Sequence, residues 1–192
     1  MARHKEFDQD KVINKAMDLF WSRGYEATSV QDLVDYLGIG RGSLYDTFGD
    51  KRSLYLNALT CYQERSGVEL LELFEQTESA KEALQQFFEV QIDAAFADHV
   101  QRGCFVVNTA VELAPHDAEI AEKIRAGFGK TEDVFCQLIV KGQETGEIAS
   151  TQDPRCLARF LLNTLMGLHV MAKAKLERKT LEDSITTALA LF

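Results

Sequence analysis

Between Gly38 and Lys51 the chain reads GIGRGSLYDTFGDK, a run of side chains suited to gripping a polyanion and reading its bases. Arg41 carries a planar fork of donors able to make a bidentate contact with guanine. Ser43, Tyr45 and Lys51 supply the hydrogen bonds and charge that hold phosphates and set a docking register. Gly40 and Gly42 flank Arg41 without a side chain, so the backbone there can approach a partner closely. Asp46 runs against the pattern, placing a negative charge in the same segment. A second reactive group is Cys104, in Gly103-Cys104-Phe105-Val106-Val107-Asn108. A thiol at the start of a helix lies at the positive end of the dipole, which favours the reactive thiolate. Buried, the same thiol is simply a small apolar residue.

Other chemistries find no support. Cys61, Cys104, Cys136 and Cys156 are widely separated, with no CxxC pair and no cysteine-histidine zinc spacing. None of His4, His99, His116 and His169 follows a glutamate by three residues, so the Glu-x-x-His pairs of a di-iron bundle are missing. No phosphate-binding glycine loop precedes a Lys-Ser or Lys-Thr pair, and no strand is available for a dinucleotide fold. Neither an enzyme nor a cofactor is expected. The 21 Lys+Arg against 30 Asp+Glu give a net charge of −9, unsuited to coating nucleic acid or clinging to anionic lipid. Sequence-specific DNA binding needs only a local basic surface and survives this test. The longest uncharged stretch, 160–172, is thirteen residues, short of the ~20 needed to cross a bilayer. The charged start, Met1-Ala2-Arg3-His4-Lys5-Glu6, has no apolar signal segment, so a cytoplasmic protein with reduced thiols and no membrane partner is expected.

The elements that must position these groups read as helices. Apolar residues make up 46% of the chain and only two prolines interrupt it, which permits a packed helical core. Asp8 caps a first helix with the stripe Val12, Ile13, Ala16, Met17 and Phe20, ended by Gly24. Thr28-Ser29-Val30-Gln31 predicts a capping box for a second, short helix whose apolar face is Val30, Leu33, Val34 and Leu37, stopped at Gly38. A third runs from about Gly40 to Phe48 with Leu44 and Phe48 inward. Two short helices joined by a tight glycine turn are the pattern of a helix-turn-helix. Longer helices follow, opened by Gly49-Asp50, Ser79, Asp117, Asp153-Pro154 and Thr180, with a short one from Cys104 to Leu113 among them. From Leu157 to Ala172 apolar residues occupy nearly every face, which predicts a second subunit covering the outward side, with Leu168 among the outward positions; complete burial within the bundle is the alternative.

The segment 28–51, TSVQDLVDYLGIGRGSLYDTFGDK, resembles the signature of the tetracycline-repressor (TetR) family. The matching residues are Thr28, Ser29, Leu37, Gly38, Ile39, Arg41, Gly42, Ser43, Leu44, Tyr45, Phe48 and Lys51. The resemblance implies an all-α fold, with a three-helix DNA-binding domain (1–52) and a six-helix regulatory and dimerisation domain (53–192). It implies a homodimeric repressor on a palindromic double-stranded DNA operator, released by a small-molecule inducer or by thiol modification. Its DNA-facing residues would be Thr28, Gln31, Arg41, Gly42, Ser43, Tyr45, Thr47 and Lys51. Residues 1–56 hold eight Lys/Arg and nine Asp/Glu, so binding rests on a few placed cations, with Arg3 and Lys5 in the N-terminal arm among them. The Gly-Cys-apolar stretch is similar to that of a family subset that senses electrophiles and oxidants. In that subset a lysine on the penultimate helix accompanies the cysteine, a place Lys173 would take. Phe105 and His169 are the neighbouring ligand-contact residues. A ligand- or redox-binding helical dimer without specific DNA recognition is the alternative reading.

Overall fold

Asp8, Ser29, Ser79, Asp117 and Asp153 open helices with side-chain caps, and Gly24, Gly38 and Gly49 close them. The computed structural model describes residues 7–98 and 100–192, so the arm residues Arg3 and Lys5 lie outside the described residues. Within them the regular structure is all helical: α1 (Gln9–Arg23), α2 (Val30–Leu37), α3 (Arg41–Phe48), α4 (Lys51–Gln76), α5 (Ala80–Ala97), α6 (Phe105–Glu112), α7 (Ala118–Glu144), α8 (Pro154–Lys173) and α9 (Arg178–Leu189). The chain divides within α4 into two compact units, one ending at Glu64 and one beginning at Arg65.

In the first unit the opening turns of α4 belong to the core. Leu54, Tyr55, Ala58 and Leu59 are buried. Tyr55 meets Phe20 edge-on at 4.9 Å and Tyr25 at 5.0 Å, and Trp21 meets Tyr62 at 5.0 Å. The capping box of α2 sits one residue later than its sequence pattern predicts. Ser29 is the N-cap, accepting from Asp32 N at 3.1 Å, while the Asp32 carboxylate accepts from Ser29 N at 2.9 Å. Thr28 is drawn inward instead. Its hydroxyl donates to the Gly24 carbonyl at 2.6 Å and its amide to Tyr25 O at 3.2 Å, which closes the turn between α1 and α2.

The second unit packs α5, α7, α8 and α9 around Phe74, Phe87, Phe88 and Phe135, whose rings lie 5.3–6.4 Å apart where they pair. Glu147, in the α7–α8 connection, caps α5 from outside that helix. It accepts from Ser79 Oγ, from Ala80 N at 2.7 Å and from Lys81 N at 3.1 Å. Asp153 and Pro154 open α8 as their types predict, Asp153 accepting from Arg155 N and Cys156 N. Thr180 does not open α9; the N-cap is Glu177, and Thr180 lies in the first turn. Leu168 turns inward at 3% exposure, so it is core rather than outer face. The outer face of α8 is carried by Phe160 and Val170, 41% and 52% exposed.

Candidate functional site

α3 has one closed face and one open face. Leu44 and Phe48, a turn apart, are buried; Arg41, Gly42, Tyr45 and Asp46 are exposed, with Ser43 and Thr47 half-buried on the flanks. Gly38, at φ 71°, ends α2 in the left-handed conformation and donates its N–H to Val34 O at 3.0 Å. A side chain there would be strained, so glycine fixes the tight turn into α3. Gly40 is the N-cap of α3 and gives it no side-chain hydrogen bond, which leaves that end unobstructed.

The remaining predicted contacts lie on neighbouring elements. Lys51 opens α4, and its ammonium stands 4.0 Å from the Tyr25 ring centroid. Tyr25 rests in turn on Phe20 and Tyr55, so a cation–π contact holds the charge against a buried aromatic base. Gln31 is exposed on the first turn of α2 and donates to Asp35 Oδ1 at 2.8 Å. Thr28 is the exception to the expected DNA-facing set. It has no exposed surface and its hydroxyl is committed to Gly24, so its role is to close the turn.

Cys104 is the N-cap of α6 and is buried, with no side-chain hydrogen bond to the helix amides. The segment before it is pressed onto α8. Gly103 has φ 69°, and a Cβ on it would stand 3.2 Å from Lys173 Cβ and 3.3 Å from His169 O. Lys173 directs its ammonium to Asn108 Oδ1 at 2.8 Å. The Asn108 amide donates to Arg102 O at 2.9 Å, and Asn108 N donates to Cys104 O at 2.9 Å. Asn108 thus ties the lysine to both sides of the cysteine. His169 is partly buried, and desolvation pushes its imidazole down to about 4, so it is neutral at physiological pH. Phe105 is fully buried.

Two family profiles match the chain: bacterial regulatory proteins of the tetR family over residues 12–58, and the tetracyclin repressor-like C-terminal domain over residues 80–188. The uncharacterized HTH-type transcriptional regulator YezE of Bacillus subtilis is 35% identical over 192 residues, covering 100% of this chain and 99% of YezE. This chain belongs to the TetR family. The HTH-type transcriptional repressor ComR of Escherichia coli is 31% identical over 192 residues, covering 100% of this chain and 91% of ComR. Among solved structures, the TetR family regulator CifR, a cysteine mutant complexed with 26-bp double-strand operator DNA, matches at a TM-score of 0.89. It is 30% identical and each chain is covered in full.

As a TetR-family member the chain is a DNA-binding transcriptional regulator and not an enzyme. Two participants escaped the sequence reading. Tyr25 carries no sequence mark of its role, since the contact with Lys51 spans 26 positions. Asn108 had a signal: it is the one amide in the apolar opening of α6, Phe105-Val106-Val107-Asn108.

Proposed function

We propose that this TetR-family chain represses transcription as a homodimer, with α3 of each subunit in the major groove of one half of a palindromic DNA operator. The observation that carries this reading is the exposed surface of α3, where Arg41 and Gly42 at its start and Tyr45 a turn later are open while Leu44 and Phe48 are buried. Arg41 reads guanine, Ser43, Thr47 and Tyr45 reach base edges or phosphates, and Gln31 and Lys51 hold the backbone. Half-sites then lie ~34–36 Å apart, about one DNA turn. The operator-bound CifR structure and the repressor ComR support the reading. A gel shift on the chain's own upstream region tests it. Arg41→Ala is expected to cost ~1–3 kcal/mol and to relax base preference. A wild type that binds every duplex equally would overturn it.

The subunits pair through α8 and α9, where Phe160, Thr164, Gly167, Met171, Ala188 and Leu191 line an open apolar groove. The protein acts in the cytoplasm, where its thiols stay reduced. No described helix is long and apolar enough to cross a membrane.

Release from DNA follows a small-molecule inducer or modification of Cys104 by an electrophile. Phe105 and His169 flank the same site as ligand contacts. Close packing of Gly103 on Lys173, with Asn108 linking α6 to α8, supports this, because an adduct on the buried Cys104 has to displace the packing around it. N-ethylmaleimide should lower operator affinity in wild type, and Cys104→Ser should abolish the response. Cys61, Cys136 and Cys156 serve as internal controls. Undiminished sensitivity of Cys104→Ser would leave Cys104 as packing.

A further inference from the structure

We propose that Asp46 is a specificity-determining residue that accepts a hydrogen bond from the N4 amino group of a cytosine in the major groove; this rests on the docking of α3 argued above. Successive side chains on a helix are ~100° apart. By that spacing Asp46 points directly away from the midpoint of Leu44 and Phe48, the two buried residues of α3. It is therefore the outermost side chain of the docking face, one turn beyond Gly42, which has nothing to shield it.

Its neighbours of like charge are all engaged. Asp32 is held by Ser29 and Arg23, Asp35 by Gln31, and Asp50 by the Ser53 amide at 2.6 Å. Asp46 makes no hydrogen bond or ion pair with any described residue. A carboxylate at the apex of a surface that meets phosphates is repelled unless it finds a donor. In the major groove guanine offers only N7 and O6 acceptors and thymine an O4 acceptor. Adenine sets its N6 donor beside the N7 acceptor, a pair that suits an amide. Cytosine N4 is a donor with no acceptor next to it on the same base, the match for an acceptor-only group. The charge thus favours one base and penalises the others, since a carboxylate facing an acceptor loses water and gains nothing.

The test starts from duplexes selected by the wild-type protein out of a randomised 26-bp library. Wild type, Asp46→Ala and Asp46→Asn are then titrated by fluorescence anisotropy against a selected duplex and its single base-pair variants. Replacing one cytosine per half-site should weaken wild type by about tenfold or more and Asp46→Ala by less than about twofold. Asp46→Asn should move the preference at that position toward adenine. Asp46→Ala should also bind unrelated duplexes more tightly, as repulsion is removed. Variants that change affinity for all duplexes by one factor, with base preferences intact, would overturn the proposal. Arg41→Ala separates this from failure of the docking itself: it should alter preference at a guanine whether or not Asp46 reads cytosine.

Discussion

The Lys51 ammonium lies 4.0 Å from the centre of the Tyr25 ring, which is itself seated on Phe20 and Tyr55. A flexible side chain is thereby held at the start of α4, where the helix amides also favour a phosphate. Lys51→Ala should weaken all sequences alike and lower the slope of log affinity against log salt by about 1. Tyr25→Leu should reproduce part of that loss and Tyr25→Phe should not, because the ring face is what holds the charge. Titrations at several salt concentrations decide it; an unchanged slope in Tyr25→Leu would count against the contact.

Phe160 is a large exposed apolar group on the outer face of α8, beside the groove shared with α9. Phe160→Glu should raise the dimer dissociation constant by more than about 30-fold, the effect of a ~2 kcal/mol hot spot. Sedimentation velocity at micromolar protein should show monomers for the variant and dimers for wild type.

Gly103→Ala should destabilise the second unit by ~1–2 kcal/mol. The backbone at φ 69° disfavours any side chain, and the added methyl meets Lys173 and the His169 carbonyl. Thermal melting should show a fall of about 2–4 °C per kcal/mol for a chain of this size. A stabilised variant would show that the close approach is not built in.

Glu147 links acid stability to the α5 cap. Desolvation works to raise its carboxyl, but hydrogen bonds from Ser79 and from the amides of Lys81 and Ala80 lower it more, so it sits below its ordinary 4.5. A carboxyl depressed on folding contributes stability that is present above its unfolded value and lost as pH falls through its folded one. Glu147→Gln should therefore flatten the acid limb of the stability curve, and Glu147→Ala should cost about 1 kcal/mol at neutral pH, as loss of a cap does. Denaturant unfolding between neutral pH and the acid limb measures both.

The helix-turn-helix was legible because its determinants are local: Gly38 must adopt positive φ, and Leu44 and Phe48 fall one turn apart. Where two residues compete for one role, sequence pattern alone does not choose. Thr28 and Ser29 are both good caps, and the choice of Ser29 follows from the Thr28 hydroxyl finding the Gly24 carbonyl. At α9 the N-cap is Glu177, three residues before Thr180, although Glu177 gives the helix no side-chain hydrogen bond. Glu147 reaches across 67 positions to Ala80, and no window on the sequence spans that. Leu168 was hidden by uniformity, because a helix apolar on nearly all sides does not say which side faces the core.

The edge-to-face pairing of Trp21 with Tyr62 has an optical consequence. The single tryptophan and all five tyrosines of the chain lie at or before residue 62, while residues 65–192 contain only phenylalanine among the aromatic types. Tyrosine and tryptophan absorption and emission therefore come from the first unit, and the second adds only the weak, shorter-wavelength bands of phenylalanine. A change in Trp21 emission on N-ethylmaleimide treatment that Cys104→Ser abolishes would be a signal received in the first unit, with no tryptophan background from the second.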